Sequence, residues 1–286
     1  MEQVNSHDKR ERPPGERGFT GESDPMSGKK GFTSERLSFN RKMVAASAAV
    51  TARKSTIHSL AETDITVPRR MLREHFERTG EKLSFTAYIV YCLARVIKEH
   101  PHLNAFRKGN RLITLDDVTV SVLVEREFSG EKVPEPLAVE AAQNLTFREI
   151  NEKIRSAKAR TGDTLGGFGG MAWIRFIPGF MLKAFVRLGE RNINLARRYG
   201  KVAVTAVGMF SREPVWFIPH GSGTVLITVG SIEKRMVYTG SGHEEREFLC
   251  LTGSFDHDIV DGAPAARFMN QFLATVSSGL HLADRL

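Results

Sequence analysis

The run Leu251-Thr-Gly-Ser-Phe-Asp-His-Asp-Ile-Val-Asp-Gly-Ala-Pro-Ala-Ala-Arg-Phe268 constrains this chain more than any other stretch. Phe248 to Phe255 reads as a strand, apolar residues with Thr and Cys between charged flanks. Pro264 suits a first helical turn, where its missing N–H costs nothing. Ala265, Phe268, Met269, Phe272 and Val276 then follow at helical spacing. The run therefore predicts strand, tight turn and helix, with His257 and Asp261-Gly262 in the turn. A histidine at a strand end, with a carboxylate four residues on and a glycine that lets the chain turn, has the makings of a general-base site. A hydrogen-bonded structural histidine fits the same spacing, and the spacing alone leaves both readings open.

The flanking residues narrow the choice. Ser254 to Phe268 closely resembles the active-site segment of the acyltransferase core component of 2-oxoacid dehydrogenase complexes. That family shares its fold with chloramphenicol acetyltransferase. The resemblance implies an α/β fold, a two-layer sandwich with a mixed sheet flanked by helices. It runs from about Arg36 to Leu280, strongest at 248–272. By the same resemblance the strand Val202-Ala-Val-Thr-Ala-Val-Gly208 puts Thr205, 52 residues before His257, on the hydroxyl position that stabilises the transition state. Without the resemblance Thr205 is an ordinary β-propensity threonine. Arg36 to Val44 resembles the basic segment that opens the catalytic domain. Arg41 there is expected either to pair with Asp261 or to be a solvated helix end.

The implied chemistry is thioester exchange. A free thiol titrates near ~8.5, so little thiolate exists at neutral pH. Neutral His257 would take the thiol proton as attack begins. The Thr205 hydroxyl would donate to the oxyanion, a contact typically worth about 3 kcal/mol of barrier. Asp261 would hold the turn rather than carry a proton. The family's trimers draw the histidine and the hydroxyl from different subunits, which implies a homotrimer here, with a higher assembly as a further option. Coenzyme A would enter as substrate. The second thiol would be dihydrolipoamide on a separate lipoyl carrier, since a lipoyl domain needs more chain than precedes Ser34 here.

Two departures bear on the substrate. Members of the large complexes have Arg after the histidine, where this chain has Asp258, a position expected to shape specificity or assembly. The Gly-Leu-Val-Val-Pro strand that lines their coenzyme channel is replaced by Gly130-Glu-Lys-Val-Pro-Glu-Pro-Leu-Ala138, leaving the coenzyme contacts unassigned. Two other functions fit as well: acylation of a small hydroxyl or amine, as in chloramphenicol acetyltransferase, and a non-catalytic trimeric scaffold.

Residues 1–33, rich in Gly, Pro, Ser and mixed charge, are expected to form a disordered tail, with the catalytic domain spanning 34–286. Within it, 161–201 reads as an insertion. Gly166-Gly-Phe-Gly-Gly170 lacks the ending of a phosphate loop. Trp173 to Leu188 is apolar but broken by Arg175, Lys183 and Arg187, a poor spanning helix. A packed insertion is favoured over contact with a membrane surface.

The formal charge of +8 suits an anionic partner. Neither zinc-finger spacing nor an aromatic-basic motif points to nucleic acid. Cys92 and Cys250 lie in apolar runs without metal or redox spacing, as buried reduced thiols do. With no apolar signal core at the N-terminus, a cytoplasmic protein is expected.

Overall fold

The computed structural model describes residues 37–128, 131–159, 179–208, 213–240 and 242–279, with Phe32, Ser34, Ser211 and Leu282 besides. The expected tail apart from Phe32, the Gly166–Gly170 loop and the first part of the apolar insertion lie outside the described residues.

The expected strand–turn–helix is present. Strand β8 (His243–Asp256) leads into the turn that holds His257, and helix α7 (Gly262–Ser278) follows. Gly253 lets β8 approach α7: a Cβ there would stand 2.5 Å from the Met269 sulfur. Phe268 is fully buried and meets Phe255 of β8 edge-on, with ring centroids 5.8 Å apart. Burying an aromatic ring of this size contributes about 1.5–3 kcal/mol. The turn is thus held on both sides by packed side chains.

β8 sits inside a six-stranded mixed sheet. Its neighbours are β1 (Thr56–Asp64) on one side and β7 (Val225–Tyr238) on the other, both antiparallel. Then come β6 (Val202–Ala206), β4 (Val120–Phe128) and β5 (Glu131–Val139). β7, β6 and β4 run parallel, and β5 closes the edge antiparallel to β4. Pro134 and Pro136 explain that edge place, since proline cannot donate to a further neighbour. The strands β2 (Ala105–Lys108) and β3 (Arg111–Thr114) form a separate hairpin.

The helices α2 (Thr66–Thr79), α3 (Phe85–Glu99) and α4 (Phe147–Ala159) pack with α7 to form the second layer. α3 is apolar on most faces and is almost wholly buried, with Tyr88, Ile89, Leu93 and Ile97 in the core. Its Tyr88 hydroxyl donates to the Val276 carbonyl of α7, 2.9 Å away, tying the two central helices together. A capping box opens α4: Glu149 accepts from the Thr146 backbone N–H at 2.7 Å.

Thr66 opens α2 without a side-chain cap. Asp64 accepts from the Thr66 N–H instead, at 2.9 Å, and the Thr66 hydroxyl accepts from the Glu247 N–H of β8. β7 runs on past Gly230 to Tyr238. Its outer half alternates half-buried and exposed residues, and ion pairs such as Lys234–Glu245 at 2.7 Å link it to β8.

Two helices come from the expected insertion: α5 (Gly179–Glu190) and α6 (Ile193–Tyr199). Leu182 and Val186, one turn apart on α5, pack on Ala46 and Met43 of α1 (Phe39–Thr51). That apolar stripe of α5 is turned onto protein, while Met181 and Leu188 of the same helix stay exposed. Among the described residues no helix is long and apolar enough to cross a membrane.

Candidate active site

The turn after β8 is fixed by its backbone. The His257 N–H donates to the Ser55 carbonyl at 2.7 Å, and the Val260 N–H donates to the Asp256 carbonyl at 2.9 Å. The buried Asp256 carboxylate does two further things. One oxygen accepts from the Asp258 N–H at 3.2 Å, and the other accepts from Lys54 Nζ at 3.0 Å. Lys54 Nζ also donates to the Ser222 carbonyl at 2.7 Å. The sequence reading overlooked Asp256 and Lys54. The visible trace is a second carboxylate directly before the histidine; its partner lies 202 residues away in the chain.

The His257 side chain stands at the surface, 44% exposed. Its Nδ1 lies 3.0 Å from the Val260 carbonyl oxygen. A carbonyl only accepts, so Nδ1 carries the proton and Nε2 keeps its lone pair. This is the tautomer a general base needs, oriented by a backbone atom three residues on.

The other expected residues are placed as follows. Asp261 precedes the first residue of α7, with its side chain 87% exposed and 4.0 Å from His257 Nδ1. Within the chain its ion-pair neighbour is His257 and not Arg41, so the expected Arg41–Asp261 pair is not formed there. Arg41 lies in the first turn of α1, more than two turns before the C-terminal end of that helix. Gly262 opens α7 without a left-handed φ, and the space where a Cβ would stand is empty. The turn therefore does not require glycine at 262 for its own conformation.

Thr205 is half-buried on β6. It lies opposite Thr228 of β7, which lies opposite Thr252 of β8. His257 is five residues beyond Thr252. With ~3.3 Å per residue along a strand and ~4.8 Å between strands, Thr205 and His257 of one chain are about 19 Å apart. They cannot both touch one reacting carbonyl within the chain.

The remaining nucleophile and ligand candidates are structural. Burial pushes the Cys92 thiol up to about 12 and raises Cys250 as well. Neither offers thiolate at neutral pH. His58 shares a hydrogen bond with Ser254 across the β1–β8 ladder, Nδ1 to Oγ 2.8 Å. Burial, and then the nearby His220, hold its pKa below the ordinary value. His100 contacts Gln271 through Nε2 at 2.8 Å. Among the described residues no group of His, Cys, Asp and Glu could hold a metal ion.

The family model for 2-oxoacid dehydrogenases acyltransferase (catalytic domain) matches residues 30–165 and 197–282. The chain belongs to this family. The two matched parts leave 166–196, including all of α5, between them. Relatives within the acyltransferase family include the dihydrolipoyllysine-residue acetyltransferase component of the acetoin cleaving system of Bacillus subtilis. It is 27% identical over 195 residues, covering 68% of this chain and 41% of the relative. The lipoamide acyltransferase component of the branched-chain alpha-keto acid dehydrogenase complex of the same organism is 23% identical over 223 residues, 76% of this chain and 44% of the relative. The chain thus spans less than half the length of these curated relatives.

Solved acyltransferase structures share the fold. A probable dihydrolipoamide acetyltransferase from Listeria monocytogenes superposes with a TM-score of 0.63 at 20% identity, covering 86% of this chain and 94% of that one. The dihydrolipoamide acetyltransferase of Azotobacter vinelandii also gives 0.63, at 15% identity over 89% and 95% of the two chains. That structure concerns the role of a serine, a histidine and an asparagine in the enzyme's catalytic mechanism. The histidine follows the serine by 52 residues and precedes the asparagine by four.

Proposed function

We propose that the protein is an acyltransferase that moves an acyl group between coenzyme A and a thiol, the thiol being dihydrolipoamide on a separate carrier protein. The observation that carries this reading is the tautomer of His257. With Nδ1 donating to Val260, Nε2 keeps its lone pair, on a side chain that is 44% exposed. It would take the thiol proton as sulfur attacks the thioester carbonyl. The same imidazolium would return the proton to the departing thiolate, so no covalent enzyme intermediate is needed.

The oxyanion needs a donor, and Thr205 has the spacing for one. Thr205, His257 and Asp261 are separated by 52 and four residues, as are the serine, histidine and asparagine of the Azotobacter enzyme. Because Thr205 and His257 stand about 19 Å apart within a chain, the donor would come from a second subunit. This favours a homotrimer with a site at each of three interfaces, the arrangement that returns the same pair of surfaces around a closed ring. The empty space beside Gly262 and the exposed Asp261 carboxylate would meet the neighbour or substrate. Arg41 of a neighbouring chain is a candidate partner for Asp261.

Purified protein should transfer acetyl from acetyl-coenzyme A to dihydrolipoamide. His257→Ala should lower kcat about 10²- to 10⁴-fold with its fold intact by circular dichroism. Equal, background-level rates for wild type and variant would overturn this reading.

A further inference from the structure

A cleft of about 700 Å³ opens beside the histidine turn, a size usual for small-molecule sites. Asp256 and Asp258, on either side of His257, line one wall. The end of α1 and the β2–β3 hairpin form others, and α5 closes the cleft. α5 is amphipathic across this contact. Leu182 and Val186 face α1, while Lys183 and Arg187, one turn apart, face the cleft with Glu190 and Arg191.

The charge in the cleft is lopsided: seven basic side chains against three acidic ones. Two of the acids already have cations, Asp256 with Lys54 at 3.0 Å and Asp258 with Arg107 at 3.4 Å. The third, Glu190, has a buried Oε1 without a hydrogen-bond partner among the described residues. Burial raises its pKa despite the nearby lysines. Arg53, Lys183, Arg187 and Arg191 have no ion-pair partner among the described residues, and all four line the one cleft. Lys201 stands deeper, its Nζ donating to the Glu190 carbonyl at 3.1 Å. Desolvation, and then the charge of Lys54, lower its pKa to about 8. Like charges gathered in a cleft repel one another, and an anion placed among them removes that cost. Guanidinium forks match the oxygens of phosphate, and a surplus of four positive charges suits two linked phosphates better than a single carboxylate.

We propose that this cleft is a phosphate subsite of the reaction at His257, with Lys183, Arg187 and Arg191 as its recognition residues. The proposal rests on the acyl-transfer reading, because it supplies a phosphorylated substrate to that turn. It goes beyond the family match, which skips α5 altogether. The phosphates have two sources: the coenzyme itself, or a phosphorylated acceptor.

Isothermal titration of the full chain with coenzyme A and, separately, with inorganic pyrophosphate tests the subsite without turnover. The variants are Lys183→Ser/Arg187→Ser, both exposed, and Arg191→Ser alone should the double variant melt early. The wild type should bind at least one ligand, with affinity falling as salt rises, and the double variant should bind it at least tenfold more weakly. Weaker coenzyme A binding, with or without weaker pyrophosphate binding, assigns the cleft to the coenzyme. Weaker pyrophosphate binding alone assigns it to a phosphorylated acceptor. Unchanged affinities, or no binding of either ligand by wild type, overturn the subsite. A protein that binds through α5 but transfers no acyl group would instead overturn the function.

Discussion

Nδ1 of His257 lies 3.0 Å from the carbonyl oxygen of Val260, inside the turn that joins β8 to α7. Val260 is itself 1% exposed and anchored in the core, so the acceptor cannot drift. The imidazole is thereby oriented and held in one tautomer by the main chain.

Asp256 should matter to catalysis without touching substrate. Its carboxylate bridges Lys54 and the Asp258 N–H and so shapes the loop that carries His257. Asp256→Asn keeps the shape but loses the charge on a 9% exposed side chain. It should cost about 1.5–3 kcal/mol of stability and lower kcat with little change in KM. Urea melts and steady-state rates check both. In a double-mutant cycle with Lys54→Met the two stability losses should be strongly non-additive.

Thr205→Ala should lower kcat about 10²- to 10³-fold, the usual effect of removing one oxyanion donor. Thr205→Ser keeps the hydroxyl and should retain most of the rate. Thr205 is only half-buried on an already paired strand, so neither change should shift the melting temperature by more than a few degrees. Equal loss in both variants would assign Thr205 to packing rather than to the reaction.

Lys201 should give stability a rise on the alkaline side. Its pKa falls from 10.5 to about 8 on folding. Between those values the unfolded chain binds the proton that the folded chain has released, so stability rises as pH increases through this window. At pH 7 the buried charge costs on the order of 3 kcal/mol. Lys201→Met should therefore be more stable than wild type near pH 7, and the difference should shrink towards pH 10. Thermal melts across this range, without phosphate in the buffer, measure it.

Much of the architecture was legible because it rests on local patterns. The Val-rich alternation of β4, the continuous apolar surface of α3 and the Pro264–Phe272 start of α7 each announce an element and a buried face. The histidine turn was legible for the same reason. What escaped the sequence reading depends on residues far apart in the chain. Lys54 meets Asp256, and Arg107 meets Asp258 from a hairpin that was not anticipated. Orientation of His257 by Val260 escaped for another cause: any residue offers a backbone carbonyl, so residue type carries no trace of it. The polar outer halves of β7 and β8 carry little apolar signal because cross-strand ion pairs, rather than burial, link them.

The central claim is that one site is made by two chains, with His257 from one and Thr205 from the next. His257→Ala and Thr205→Ala chains, co-expressed in equal amounts and assayed with acetyl-coenzyme A and dihydrolipoamide, test this most directly. Each variant alone should be nearly inactive. Random assembly into closed rings gives about a quarter of the sites an intact histidine from one chain and an intact threonine from its neighbour. The mixture should therefore recover about a quarter of the wild-type rate. A mixture no more active than the two variants measured separately would contradict the shared site.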